Sequence, residues 1–118
     1  MHIVVTGAGS GIGRSIAITL AERGYSLILL GRNLENLEST KSLLKNSEQH
    51  QCHTCDIRNS EEIKKALENV SSLYALIANA GVGGENKYGD QDRWQEVVDT
   101  NLTGTYQTIQ ECLPLIKK

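Results

Sequence analysis

The apolar run Ile3-Val4-Val5 leads directly into Thr6-Gly7-Ala8-Gly9-Ser10-Gly11-Ile12-Gly13, and an amphipathic pattern follows without a break. Few folds have a use for glycines at 7, 9, 11 and 13 between a strand and a helix. Glycine tolerates positive φ and carries no Cβ, so backbone N–H groups can close on a pyrophosphate at the positive end of the following helix. The pattern predicts a strand over 2–6 and a helix over 12–23, with Ile12, Ile16 and Leu20 on one face, Ala17 beside them and Gly24 as the stop. The spacing is T-G-x-x-x-G-x-G. A P-loop would need Gly-Lys-Ser/Thr at a set offset, and G-x-G-x-x-G places its glycines differently.

Strand and helix patterns alternate through the rest of the chain, which predicts an α/β fold, a parallel sheet with helices on both faces. Further strands are expected over 26–30, 50–55 and 73–78, and further helices over 34–46, 60–70 and 91–113. Leu27-Ile28-Leu29-Leu30 is apolar without alternation, as a central parallel strand is. Asn33 is the expected N-cap of the second helix, with Leu34, Leu37 and Leu44 as its apolar stripe. Ser60 is expected to cap the third, whose inward face is Ile63, Ala66, Leu67 and Val70. Gly81–Asp90 reads as the one long loop, and residues 1–118 as a single dinucleotide-binding unit.

Composition removes several function classes. A net charge of −2 with mixed signs gives no basic patch for nucleic acid and no polybasic membrane segment. The longest apolar runs, Leu27–Leu30 and Leu73–Ala78, are too short to cross a bilayer, and the N-terminus lacks a signal-peptide pattern. Three cysteines, an odd number, fit reduced thiols and a cytoplasmic setting. His50, Cys52, His53 and Cys55 invite a metal reading. Alternation along a strand sends Cys52 and Cys55 to opposite faces, and no second ligand pair has chelate spacing, so no metal is expected.

A doubly wound sheet binds its ligand at the C-terminal strand ends, beside the first strand. The first turn, Gly31-Arg32-Asn33, Asp56-Ile57 and Asn79-Ala80-Gly81 all fall there. On these residues the chain resembles the short-chain dehydrogenase/reductase family, from residue 2 to about 116. Thr6–Gly13 matches its glycine motif, Asp56-Ile57 its Asp-aliphatic pair and Asn101-Leu102-Thr103-Gly104 its N-[LV]-x-G. Ala78-Asn79-Ala80-Gly81 matches its N-N-A-G, with Ala78 replacing the first Asn. The resemblance implies a Rossmann-type sheet of order 3-2-1-4, cut after the long helix that follows the fourth strand. It also implies that Gly7, Gly9, Ser10, Gly11, Ile12 and Gly13 form the pyrophosphate turn, Asp56 and Ile57 hold adenine, and Asn79, Ala80 and Gly81 lie along the nicotinamide ribose. Asn101 would open the helix ladder locally and hold a water of the proton relay.

Charge indicates the cofactor. An NAD enzyme places Asp or Glu at the end of the second strand to bind the ribose 2′-hydroxyl, whereas this chain has Gly31 followed by Arg32. A guanidinium pairs with a 2′-phosphate, so NADP(H) is favoured over NAD. Ser10 stands where many NADP-preferring relatives carry a second basic residue, and Arg14 reads as a solvated surface charge.

The family performs its chemistry with a Ser and a Tyr-x-x-x-Lys beyond the Asn-bearing helix. Residues 25, 74, 88 and 106 are the tyrosines here, and none has Lys four positions on. The expected function is therefore the cofactor-binding portion of an oxidoreductase that moves hydride between nicotinamide and a carbonyl or alcohol. The alternative is a non-catalytic nucleotide-binding module or a self-associating fragment. Strand 73–78 would be an open sheet edge, and helix 91–113 carries Trp94 (read as a packing residue), Val97, Val98, Leu102, Ile109 and Leu113. Homo-oligomerisation through that edge or that helix is expected.

Overall fold

The computed structural model describes residues 1–81 and 93–116. Four parallel strands, β1 (His2–Thr6), β2 (Ser26–Gly31), β3 (Gln51–Thr54) and β4 (Ala75–Ile77), form one sheet in the order β3-β2-β1-β4. β1 pairs with β2 in the register Val4 to Ile28 and with β4 in the register Val4 to Leu76, so the strand ends that lead into the glycine turn and Asn79 lie side by side. Side-chain alternation divides the apolar strands into two cores. Ile3, Val5, Leu27 and Leu29 pack beneath α1 (Gly11–Glu22) and α2 (Leu34–Ser42). Val4, Ile28 and Leu30 pack on the other face, with Ile63, Ala66 and Leu67 from and just after α3 (Ser60–Ala66), and Cys112 from the C-terminal helix.

The 91–113 helix is resolved into three pieces: α4 (Trp94–Val98), a π-helical turn over Asp99–Gly104, and α5 (Thr105–Ile116). The Gly81–Asp90 loop, beyond Gly81 itself, and the start of that helix lie outside the described residues.

Several expectations change. The face that α1 buries is Gly13, Ala17 and Ala21, whereas Ile12 is 72% exposed and Ile16 and Leu20 are half-buried. Gly13 must lie against the Gly7 carbonyl, and this rotates the small residues, one position round from the aliphatic stripe, onto the sheet. Asn59, not Ser60, caps α3, accepting from the Glu61 N–H at 3.0 Å. Leu34 is exposed, because α2 begins there and its buried positions are Leu37 and Thr40. Trp94 is 67% exposed. Cys52 and Cys55 do fall on opposite faces, one in each core. His50 is buried as an edge substitute for a ladder partner: Nδ1 accepts from the Leu27 N–H at 3.0 Å, leaving Nε2–H to donate to the Lys45 carbonyl at 2.9 Å.

Candidate functional site

Every helix start leaves unpaired N–H groups, and α2 and α3 satisfy theirs locally. α2 has the Asn33 side chain accepting from Asn36 N–H and Glu35 in its first turn, and α3 has Asn59 with Glu61 and Glu62. α1 differs. Its N-cap, Ser10, makes no side-chain cap bond, and no acidic residue stands in its first turn. The amides of Gly11, Ile12 and Gly13 thus form an uncapped positive helix end, directly after a turn in which Gly7 and Gly11 have φ of +63° and +56°.

The turn is held from behind by its carbonyls. Asn79 Nδ2 donates to the Gly7 carbonyl at 3.2 Å and Thr40 Oγ1 to the Ala8 carbonyl at 2.8 Å, while an Arg14 Nη2 donates to the Gly9 carbonyl at 2.7 Å. Arg14 Nε also donates to Thr40 Oγ1 at 2.9 Å. Arg14 is therefore a half-buried brace of the turn rather than a solvated charge. Thr6 is a latch: its Oγ1 accepts from the N–H groups of Asn79 (3.0 Å) and Ala80 (2.9 Å), tying the end of β4 to the end of β1. Side chains are excluded at two close approaches. A Cβ on Gly7 would lie 2.9 Å from Ala80 Cα, and one on Gly13 would collide with the Gly7 carbonyl.

An open cleft of about 310 Å³ runs across these strand ends. Of the expected residues, Gly7, Gly9, Ser10, Arg32, Asp56, Ile57, Ala80 and Gly81 line it. Gly13 and Asn79 buttress its wall through the contacts just described, and Gly11 and Ile12 are exposed at the helix start. Asn101 stands in the π-helical turn with its Oδ1 close to Gly81, where an added Cβ would lie 2.9 Å away. The helix is π-wound at this residue, and π-turns are frequent at functional positions.

At the far end of the cleft Asp56 is engaged by Arg58, a residue the sequence motif does not single out. Arg58 Nε and an Nη2 donate to its carboxylate at 3.0 Å and 2.6 Å, and the Arg58 N–H donates to Oδ1 at 3.0 Å. The Arg58 side-chain bond, reinforced by its charge and that of Arg32, holds the Asp56 carboxyl below its usual range. From α5, Gln107 Nε2 reaches the carbonyls of Ile57 (3.3 Å) and Arg58 (3.0 Å), so this strand end is fixed by the second face of the sheet. The short Asp-x-Arg spacing was readable; the Gln107 contact, 50 residues away in sequence, was not. Cys55, also in the wall, is no nucleophile: burial foremost, then Glu62 and Asp56, pushes its thiol up to about 12. Burial likewise pushes Cys112 up to about 11.

With this geometry in hand, the whole chain, residues 1–118, matches the family model described as short chain dehydrogenase. An uncharacterized oxidoreductase of Staphylococcus aureus strain MW2 is 39% identical over 117 residues, covering 94% of this chain and 50% of that protein. Among solved structures, an alcohol dehydrogenase of the archaeon Thermococcus sibiricus, complexed with 5-hydroxy-NADP, superposes with a TM-score of 0.85 at 32% identity, over 98% of this chain and 53% of the other. Xylitol dehydrogenase with NAD+ bound gives a TM-score of 0.86 at 26% identity, over 98% and 47%. The chain spans about half the length of the curated relatives it matches. An uncapped glycine-turn helix on a 3-2-1-4 parallel sheet and a match along its full length make this chain a member of the short chain dehydrogenase family, whose N-terminal half it represents.

Proposed function

We propose that residues 1–118 form the NADP(H)-binding unit of an oxidoreductase that passes hydride between nicotinamide and a small carbonyl or alcohol. The observation that carries this reading is α1: among α1–α3 it alone has neither a side-chain cap nor a first-turn carboxylate, and its N-cap Ser10 lines the cleft. A dianionic pyrophosphate satisfies both deficits. The amides of Gly11, Ile12 and Gly13 would bind it, Asp56 and Ile57 would orient adenine, and Asn79, Ala80 and Gly81 would align the nicotinamide ribose. Arg32, exposed at the mouth of the cleft, would pair with a 2′-phosphate. When bound, the cofactor supplies hydride exchange. Asn101 would hold a water of the proton relay, while the Ser, Tyr and Lys of the family mechanism fall beyond the matched half.

The second reading is a nucleotide-binding module without turnover of its own. Three free thiols suit a reducing, cytoplasmic setting for either reading. Among the described residues no helix is long and apolar enough to cross a membrane.

The test is calorimetric titration of the 118-residue chain with NADPH and NADH, alongside Arg32→Ala. NADPH should bind more tightly, and the variant should lose roughly tenfold for NADPH with NADH little changed, since a charge-assisted bond is removed. Binding of neither cofactor overturns the proposal, and an NADH preference in the parent chain overturns the NADP assignment.

A further inference from the structure

β3 forms the sheet edge opposite β4, and among the described residues it pairs with β2 alone. The Cys55 N–H donates back to the Gly31 carbonyl at 2.7 Å. Backbone groups alternate in direction along a strand, so those of Gln51 and His53 also face β2, while the N–H and C=O groups of Cys52 and Thr54 point outward. Proteins ordinarily blunt such an edge with Lys, Pro or a bulge. Gln51-Cys52-His53-Thr54 contains no Lys, Asp, Glu or Pro. The edge borders a groove of about 440 Å³, whose lining includes Leu34, Cys52, His53 and Thr54. The flank of α2 beside this edge adds a second observation. α2 turns Leu37 and Thr40 to the interior, and Leu34, Glu38 and Lys41 follow at helical spacing one step round. The Cys52 thiol is raised first by burial and then by Glu38, and is lowered by Lys41, so both charges stand beside the middle of β3. Neither makes an ion pair among the described residues, and Leu34 is 48% exposed.

We propose that this edge is the docking surface for a second copy of the chain: two β3 strands pair antiparallel about a twofold axis at His53, joining two four-stranded sheets into one. Cys52 and Thr54 of each copy exchange backbone hydrogen bonds with Thr54 and Cys52 of the other, and the two His53 residues form the non-hydrogen-bonded pair between them. The same axis sets the two α2 helices antiparallel. Glu38 of each copy then meets Lys41 of the other, so opposite charges adjoin on both sides of the axis. A parallel neighbour would set Glu38 against Glu38 and leave a new edge open, whereas the twofold pairing closes. This charge complementarity selects a second copy over an unrelated extended segment. The surface is separate from the cleft and from the β4 edge, and it needs no cofactor.

The experiment is disulfide trapping in the 118-residue chain, with Cys52→Ser removing the half-buried native thiol. In that background His53→Cys puts a thiol on the axis, where a non-hydrogen-bonded pair brings Cα atoms to about 4.5 Å, within disulfide reach. Ser39→Cys is the control, exposed on α2 and two residues on from buried Leu37, so on the side away from the sheet. Under mild oxidation His53→Cys should form linked dimer at least about tenfold faster than Ser39→Cys, because docking raises the local thiol concentration. Adding Glu38→Lys or Lys41→Glu to His53→Cys should slow the linkage by roughly fivefold, since like charges then meet across the axis. An equimolar mixture of those two charge variants should recover the original rate, because every Lys again faces a Glu. The recovery also shows that both variants are folded. A His53→Cys rate no greater than that of Ser39→Cys overturns the proposal and leaves the cofactor reading standing. Linkage that neither charge reversal slows, or that the mixture fails to restore, overturns the antiparallel arrangement.

Discussion

Thr40 is fully buried on α2, yet its hydroxyl serves the glycine turn: it donates to the Ala8 carbonyl at 2.8 Å and accepts from Arg14 Nε at 2.9 Å. Thr40→Val keeps the volume and deletes both bonds. Ala8 is itself fully buried, so its carbonyl would be left without a donor at a cost of about 1–3 kcal/mol. Arg14 retains the Gly9 carbonyl at 2.7 Å and is half-exposed, so its own loss is small. A total near ~2 kcal/mol follows, and spread over the unfolding entropy of 118 residues it lowers the melting temperature by about 8 °C. In urea the midpoint should fall by roughly 1 M. Thr40→Ser keeps the hydroxyl and forfeits only a buried methyl, about 1 kcal/mol. Equilibrium urea unfolding of the three proteins gives the ranking, and NADPH titration should show Thr40→Val weakened more than Thr40→Ser. If Thr40→Val proves as stable as Thr40→Ser or more so, the turn is not braced through this hydroxyl and the reasoning fails.

Two further outcomes are expected. Asp56 titrates below its ordinary value of 3.8 because Arg58 holds the charged form, so its contribution is complete above that pH and fades as pH falls through the lower folded value. The urea midpoints of the parent chain and Asp56→Asn should accordingly differ at neutral pH and converge in acid; a gap that persists unchanged below pH 3.8 would contradict the ion pair. The open side of β4, which pairs with β1 alone among the described residues, and the apolar face bearing Leu102 (68% exposed) and Ile109 (43% exposed) should drive self-association. Sedimentation velocity should show species above 12.9 kDa that Leu102→Glu reduces, and a single 12.9 kDa boundary in the parent chain would dismiss the interface.

The glycine turn and the four strand-end segments were legible because each rests on local chemistry, whereas the strand order came only from the resemblance to the family. Ile3-Val4-Val5 and Leu27–Leu30 read as buried parallel strands by their unbroken short apolar runs, and the glycine spacing fits a phosphate-binding turn. What contacts what across the sheet was not legible. Arg14 looks like any surface arginine until α2 brings Thr40 to it, and Ile12, Ile16 and Leu20 look like a core stripe until Gly13 has to pack on Gly7. Gln107 reaching Ile57 and the Thr100 hydroxyl, unpaired among the described residues, depend on where α5 and the π-helical turn settle against β3's end. Backbone preferences and hydrophobic period act over a few neighbouring residues, so a sequence alone determines them. Pairing of polar atoms 26 to 72 residues apart is decided only when the packed sheet sets the distances.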